Sequence, residues 1–448
     1  MIAIERNHHR WCSLPFGLSQ SVAVDKALPP ASARRLSAIS ALIVMAFLSS
    51  ARATYAQATS ASAHAGGLSL SQAVERALHR NFDVQNARLT IDSSRAERQI
   101  ARAVPNPSYV ASPNTPYQYG ASIALDVGPQ RLYRTRTATL GAAAAGVDAR
   151  DVARTVTLSV QRAFYDVLLS DAMRELVQQR RAALQQIFQA DSARVAAGDI
   201  PERALARSAV ELARTDADLA HIINDAQNTR FALQSLLGND GPDMSLVVEG
   251  TLAYQHVEMP SLDSMEFLAV RHRPDLEAAG LRIDQGRARQ ALATASLVPI
   301  PSLSYVRQFG APFENGHYYS LGIALELPVL NNYRGQRARA QVALSVAALT
   351  RDRLASQVQR DVVSARNSVL TQRAALERLS GGLSDAVQRN VTAARYAYER
   401  GATSLLDLLD AVRAEQEFHS ALLQAIHDYW LSLFALNAAV GTTVARAQ

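Results

Sequence analysis

Two aspartates three residues apart form the most suggestive pair of titratable groups in the sequence. Asp407 and Asp410 lie in GATSLLDLLDAVRAEQ, residues 401–416, and four leucines surround them. On a helix this spacing places both carboxylates on one face. Such a pair is typical of a general acid and base, of a cation site, or of two solvated charges on a helix surface.

The other residue types that carry chemistry give catalysis little support. No phosphate-binding glycine-rich loop, Gly-x-Ser-x-Gly motif or His-Glu-x-x-His motif occurs. The single cysteine, Cys12, lies close to the N-terminus. Several histidines are scattered without the spacing of metal ligands: His256, His272, His317, His419 and His427. We therefore predict that the protein is not an enzyme and has no catalytic residues, no cofactor and no dedicated metal centre.

The positive charge is concentrated in a predicted leader, residues 1–58. The chain has a formal net charge of +6, and six basic against two acidic residues in the leader contribute most of it. Arg34 and Arg35 precede an apolar run at 39–48, and Ala56-Gln57-Ala58 offers a cleavage site, so the segment resembles an export signal. A short membrane anchor is the alternative, but the run is below the ~18 residues that a span requires. A charge excess in a cleaved leader argues against nucleic acid as a partner.

After a linker predicted to be disordered at 59–67, the chain contains an internal duplication. VPNPSY at 104–109 returns as VPIPSLSY at 298–305, and FALQSLLG at 231–238 returns as FALNAAVG at 434–441. A duplicated unit therefore occupies 68–240 and 261–442, with a connector at 241–260 and a tail at 443–448.

Each unit combines helical and strand-like patterns. A helix comes first, and alternating apolar and polar residues then predict β-hairpins at 105–127 and 302–328. Strands with one apolar face occur in membrane barrels and also in half-buried soluble sheets. Long helices follow, predicted at 131–197, 201–237, 334–400 and 403–440. The first is ~100 Å long at 1.5 Å per residue, so it must associate lengthwise with other helices. Four strands cannot close a membrane barrel, since the smallest has about eight, so several chains would have to share one.

These features resemble the TolC-like family of outer-membrane efflux proteins. The resemblance extends over 68–442 and is most specific in GIALELPVLNNYRGQRARAQ and YERGATSLLDLLDAVRAE. It implies a mainly α fold with a small β part, in which long antiparallel coiled-coil helices form a periplasmic α-barrel. Four strands per chain would enter a twelve-stranded β-barrel shared by a homotrimer in outer-membrane lipid. The implied partners are a periplasmic adaptor and an inner-membrane pump of the resistance-nodulation-division type.

The resemblance also implies roles for residues at the closed tip of the helices. Asp407 and Asp410 match two aspartates that line a pore constriction and bind cations, and Tyr398 matches an aromatic residue that latches the tip. Gly198 and Gly401 fall in the tip turns. The chain departs from the family at Thr403, where an arginine is usual. It also departs near Ala204, where an acidic partner is expected, so the latch must be built differently. The implied function is an exit duct for small molecules or metal cations, opened by an adaptor; the alternative is a soluble periplasmic scaffold without a barrel.

Overall fold

The computed structural model describes residues 67–113, 117–238, 246–310 and 313–444. The predicted leader at 1–58 lies outside these described residues, as do 59–66 of the predicted linker and 445–448 of the predicted tail. Of the predicted connector, residues 246–260 are described, and they contain no helix. Their one bridge pairs Val248 with Leu68, which precedes the first helix.

Both halves of the chain follow the same order of elements: two helices, a hairpin and then long helices. The first half contains α1 Leu70–Arg80, α2 Phe82–Arg102, β1 Ser108–Ser112, β2 Tyr117–Ala124, α3 Pro129–Ala196 and α4 Glu202–Leu236. The second half contains α5 Leu262–His272, α6 Pro274–Ala295, β3 Pro301–Gly310, β4 Phe313–Leu325, α7 Arg334–Ser380, α8 Leu383–Glu399 and α9 Leu405–Val440. No helix in the described ranges combines the length and the apolarity needed to cross a membrane.

Asn81 produces the break between α1 and α2. Its backbone is extended, with φ −61° and ψ 135°, and its side-chain oxygen accepts a hydrogen bond from the Asp83 amide at 2.9 Å. An asparagine that caps the following helix in this way stabilises a new helix start. Its side-chain amide also donates to the Leu236 carbonyl at 3.0 Å, which ties the break to the end of α4.

The predicted continuous helix at 334–400 is wrong, because the structure divides it into α7 and α8. Gly381 and Gly382 separate the two helices, and Gly382 has a left-handed backbone with φ +86°. A residue with a Cβ is strained in this conformation, whereas glycine adopts it readily. At the corresponding place in the first half, α3 runs uninterrupted for 68 residues. The two halves therefore differ in the helix that leads to Tyr398.

The four strands form one antiparallel sheet in the order β1-β2-β3-β4. Residues directly opposite each other share a face of the sheet. On one face lie apolar and aromatic residues, among them Tyr305 opposite Leu321 and Leu303 opposite Ile323. On the other face the side chains are mostly small or polar, as where Ser108 and Ser122 lie 2.7 Å apart through their hydroxyls. The apolar face is open to the surroundings, since Leu321 and Ile323 are 78% and 73% exposed.

The helices pack side by side, and those next to the sheet have the same order as the strands to which they connect. Next to the strands the neighbours run α2-α3-α6-α7, and farther away α3 contacts α4 and α9 while α9 contacts α7 and α8. Side chains at the start of α3 close the end of α2. Arg134 donates to the Ala101 carbonyl at 2.9 Å and pairs with buried Asp126 at 2.6 Å. A cation at a helix C-terminus is favoured by the unpaired carbonyls there. This contact fixes the junction between helices and sheet.

Three apolar cores hold the helices together, and two of them adjoin at Leu70 and Tyr165. Two lie where α1, α5 and the connector cover the long helices, and one of these contains an aromatic group in which the Tyr165 and Phe434 rings are 5.0 Å apart. The third joins α3, α8 and α9 near the turns at Gly198 and Gly401. The break at Gly381 and Gly382 falls between Leu376, the last α7 residue of one core, and Val391, the first α8 residue of the third.

Candidate functional site at the helix tip

The two long helical hairpins end in turns that require glycine. Gly198 and Gly401 have left-handed φ angles of +83° and +72°. After each glycine the chain bonds back to the preceding helix: the Asp199 amide donates to Arg194, and the Ala402 amide donates to Ala397 at 2.8 Å. This is the hydrogen-bond pattern of a helix ended by a left-handed residue. The predicted tip turns therefore have the backbone of tight reversals, and they bring the start of α9 back along α8.

Asp407 caps its own helix. Its carboxylate accepts from the Ser404 hydroxyl at 2.8 Å and from the Ser404 amide at 3.0 Å, while the Ser404 hydroxyl accepts from the Asp407 amide. This reciprocal arrangement is a capping box. The hydrogen bond from the Ser404 side chain, together with that from its amide, lowers the pKa of Asp407, so the group is a carboxylate at neutral pH.

Asp410 lies one turn further along the same exposed face. Its side chain is 61% exposed, and the Arg413 guanidinium approaches it only to 3.5 Å. The neighbouring Leu408 and Leu409 point into the core instead, at 1% and 4% exposure. Both aspartates border a groove between α8 and α9 that small side chains line, including Ala393 and Ala397. One chain therefore presents two open carboxylates above a packed leucine layer.

Within the described part of the chain, no group of three or more His, Cys, Asp or Glu side chains is placed to hold a metal ion. Two carboxylates from one chain are fewer ligands than Ca²⁺ or Mg²⁺ usually takes from protein and water oxygens. Asp407 and Asp410 would therefore need further carboxylates from other copies of the chain, or bound water, to hold a divalent cation.

Tyr398 joins the two hairpins through a buried hydrogen bond. Its hydroxyl donates to Asp191 Oδ1 of α3 at 2.5 Å, and the two residues are 8% and 0% exposed. Burial, followed by the hydrogen bond to Asp191 and the charge of that group, raises the pKa of Tyr398 to about 12. The hydroxyl is therefore protonated and able to donate at any physiological pH. The Arg194 guanidinium lies 5.2 Å from the centre of the tyrosine ring.

Tyr398 does not hydrogen-bond at the position near Ala204 on α4, where the family has its acidic partner and this chain departs from the family; its hydroxyl binds Asp191 on α3 instead. Asp191 lies seven residues after Leu184 and four after Ile187, so it occupies the apolar seam of a long helix. A lone carboxylate in such a seam indicates a buried partner, and this was the signal in the sequence. Its second oxygen, Oδ2, is buried and accepts no hydrogen bond from the described residues.

A second polar contact joins the hairpins, and sequence reasoning missed it. Glu211 of α4 is buried and accepts from Arg180 of α3 at 2.6 Å. Arg413 of α9 donates to both of its carboxylate oxygens, at 3.1 and 2.6 Å. The hydrogen bond from Arg413, more than the charges of the two arginines, lowers the pKa of Glu211. Paired bonds of this kind are strong and directional.

The tip is thus two helical hairpins held together by an apolar core and two polar contacts. Tyr398 with Asp191 joins α8 to α3, and Arg413 with Glu211 joins α9 to α4. Nothing in this arrangement pairs a nucleophile with a base.

Comparison with known proteins identifies the family. A family model described as outer membrane efflux protein matches residues 73–239 and 268–442. The chain belongs to the outer membrane efflux protein family. This efflux protein is 25% identical over 362 residues to the cobalt-zinc-cadmium resistance protein CzcC of Cupriavidus metallidurans, which covers 78% of this chain and 84% of the relative. It is 27% identical over 418 residues to nodulation protein T of Rhizobium leguminosarum bv. trifolii, covering 83% of this chain and 85% of the relative.

The fold is similar to that of a solved outer-membrane channel. The crystal structure of CmeC from Campylobacter jejuni matches with a TM-score of 0.73, over 85% of this chain and 87% of that one, at 15% identity. The predicted family, mainly α fold, outer-membrane location and export function of this efflux protein are confirmed. The soluble scaffold without a barrel is set aside. The roles of Asp407, Asp410 and Tyr398 stay predictions.

Proposed function

We propose that this efflux protein is the passive exit duct of a tripartite system and works as a homotrimer. The observation that carries the proposal is the sheet. Its four strands are too few to close a barrel, its apolar face is exposed, and α3, ~100 Å long, continues from it. Three copies placed edge to edge would turn the sheets into one barrel and the helices into one tube around a common axis.

Apolar side chains on the outer helices support this assembly. Near the sheet α2 and α7 lie at opposite ends of the helix row, and each presents an exposed apolar stripe. The stripe on α2 consists of Phe82, Leu89 and Ile100, and that on α7 of Val342, Val346 and Leu349. Their spacings place each stripe on one helix face. Packing α7 of one copy against α2 of the next would bury both stripes, and a head-to-tail contact of this kind generates a closed ring when the rotation fits.

The tip of the helices is proposed as the gate. In a trimer, Asp407 and Asp410 become six carboxylates around the threefold axis, and such a ring attracts cations and divalent ions in particular. The contacts of Tyr398 with Asp191 and of Arg413 with Glu211 hold the α8–α9 hairpin in the closed position. A periplasmic adaptor bound to an inner-membrane pump of the resistance-nodulation-division type opens the tip by contacting these hairpins. The cargo, small molecules or metal cations, then leaves through the lumen.

Planar-bilayer conductance of the purified protein, shown to be trimeric by native mass, tests the proposal. Wild type is compared with Asp407→Asn/Asp410→Asn, with and without millimolar divalent cation. We expect small cation-selective currents that divalent ions block in wild type and not in the variant. The matched control, Asp92→Asn/Glu97→Gln, removes two exposed carboxylates from α2 and keeps the block. If divalent cations still block the tip variant, Asp407 and Asp410 do not line the pore and are ordinary surface residues. If folded trimers do not conduct at all, the protein is not an exit duct.

A further inference from the structure

One arginine lies on the apolar face of the sheet. In β3, Leu303, Tyr305, Arg307 and Phe309 alternate with Ser302, Ser304, Val306 and Gln308, so Arg307 shares the face of the apolar residues. The register places it directly opposite Tyr119 of β2 and Tyr319 of β4. A charged side chain on the lipid-facing side of a barrel strand is costly near the middle of the bilayer and tolerated near its surfaces.

Arg307 lies at the surface end of this face. Leu321, Ile323 and Leu325 form an exposed apolar band on the side of the helices. Towards the hairpin ends the band gives way to aromatic rings, and Tyr117 stacks on Phe309 at 5.7 Å between ring centres. Aromatic rings flank the apolar band of membrane barrels at the level of the lipid headgroups. Because the helices leave from the opposite end of the sheet towards the periplasm, this aromatic group faces the outer leaflet.

Two tyrosines hold the guanidinium group in place. Arg307 Nη1 donates to the Tyr119 hydroxyl at 2.8 Å. Its central carbon lies 5.8 Å from the centre of the Tyr119 ring and 5.2 Å from that of the Tyr319 ring, within the range of cation–π attraction. The rings lower the cost of placing the charge on this face, but they do not neutralise it.

Among the side chains that the structure describes, which do not include those of residues 313–317 in β4, no carboxylate pairs with this charge. Arg307 forms no ion pair with any described carboxylate, and its Nε is buried without a hydrogen-bond acceptor. Arg134 at the helix–sheet junction and Arg180 and Arg413 at the helix tip, by contrast, each bind a carboxylate. A half-buried guanidinium group in an apolar setting is costly unless an anion pairs with it.

We propose that Arg307 binds the anionic phosphate of a lipid headgroup in the outer leaflet. Guanidinium binds phosphate through strong, directional hydrogen bonds, and the height of Arg307 on the sheet is that of the headgroups. Tyr119 and Tyr319 act as positioning residues that keep the group at the lipid surface. The proposal rests on the outer-membrane location of the strands and is independent of the gate at the helix tip.

Native mass spectrometry of the full-length trimer in detergent tests this site. The protein is titrated with phosphatidylglycerol, which is anionic, and with phosphatidylcholine, which is zwitterionic. We expect wild type to retain phosphatidylglycerol preferentially, and Arg307→Gln to bind it about tenfold or more weakly, the effect of losing a hydrogen bond to a charged group. Arg95→Gln is the matched control, because Arg95 is an exposed arginine on α2 far from the apolar face.

Three results would overturn the site. The first is an unchanged preference in Arg307→Gln, which would leave the arginine a structural part of the sheet. The second is an equal loss in Arg95→Gln, which would assign the preference to total charge. The third is stabilisation of wild type by inorganic phosphate alone to the same melting temperature as phosphatidylglycerol, which would assign it to a free anion. If the Gln variant does not assemble, Arg307→Met replaces it, because its long apolar side chain suits this face. Its binding of phosphatidylglycerol and phosphatidylcholine is then compared with that of wild type in the same way.

Discussion

Replacing Tyr398 by phenylalanine isolates the hydrogen bond that joins the two hairpins of the tip. The ring stays in the apolar core that also contains Val391 and Leu405, beside the Arg194 guanidinium. Only the hydroxyl that donates to Asp191 is lost. Because Asp191 Oδ2 already has no partner in the described chain, the variant leaves both oxygens of a buried side chain unpaired. The change therefore acts on a state in which the hairpins are in contact.

The size of the effect follows from the chemistry of that bond. A hydrogen bond to a charged group contributes about 1.5–3 kcal/mol. Each 1.4 kcal/mol is a factor of ten in an equilibrium constant. When the tip opens, water reaches Asp191, so the loss falls on the closed state alone. We expect Tyr398→Phe to shift the equilibrium between closed and open tips towards open by about tenfold to one hundredfold.

Single-channel recording in planar bilayers measures this shift as the fraction of time spent in high-conductance states. Tyr396→Phe is the matched control, since Tyr396 lies two residues away on α8, is 54% exposed and contacts Arg400 at 4.1 Å through its ring. The control is expected to behave as wild type. Equal open fractions in Tyr398→Phe and wild type, from trimers of equal melting temperature, would refute the role of this bond in closing the tip.

Two further predictions concern pH. The pKa of Glu211 is lowered in the folded protein, chiefly by the hydrogen bond from Arg413. The carboxylate therefore stabilises the folded protein fully above the ordinary pKa of 4.5, and this stabilisation is lost as the pH falls through the pKa of the folded state. Glu211→Gln should lower stability by about 1.5–3 kcal/mol at pH 7 and flatten the acid loss of wild type in denaturant unfolding; an unchanged acid slope would contradict this. His427 lies between Asp166 at 2.8 Å and Asp428 at 3.0 Å; burial lowers its pKa, but the bonds to both carboxylates outweigh burial and raise it above 6.5. The protonated imidazole therefore stabilises the folded protein fully below pH 6.5, and this stabilisation is lost as the pH rises through the pKa of the folded state. The melting temperatures of wild type and His427→Gln should accordingly differ more at pH 5.5 than at pH 8.5.

The sequence carried enough to predict the order of elements, because each depends on a local pattern. Alternation identified the strands, and the break at Asn81 could be placed because asparagine caps the next helix with its own side chain. The break at Gly381 and Gly382 could not, since glycine is also tolerated within helices and only the backbone angles reveal the left-handed turn.

The tip was only partly predictable. Ser404-x-x-Asp407 is a capping-box sequence, so the capping role of Asp407 could have been found from its spacing alone. The partners of Tyr398 and Arg413 could not be predicted in this way, because Asp191 and Glu211 lie about two hundred residues away along the chain. Which faces of long helices meet depends on how the hairpins associate, and no local pattern contains that information.

The open edges of the sheet have a consequence for how the protein reaches its membrane. β1 and β4 each leave a row of backbone N–H and C=O groups unpaired in a single copy, and β4 is 13 residues long. Exposed edges next to an apolar surface are sites where newly made chains aggregate. Joining β4 of one copy to β1 of the next removes these edges only when the last copy closes the ring. The same strands that make assembly possible therefore make each unassembled copy hazardous in water, and biogenesis must shield them until all the copies meet.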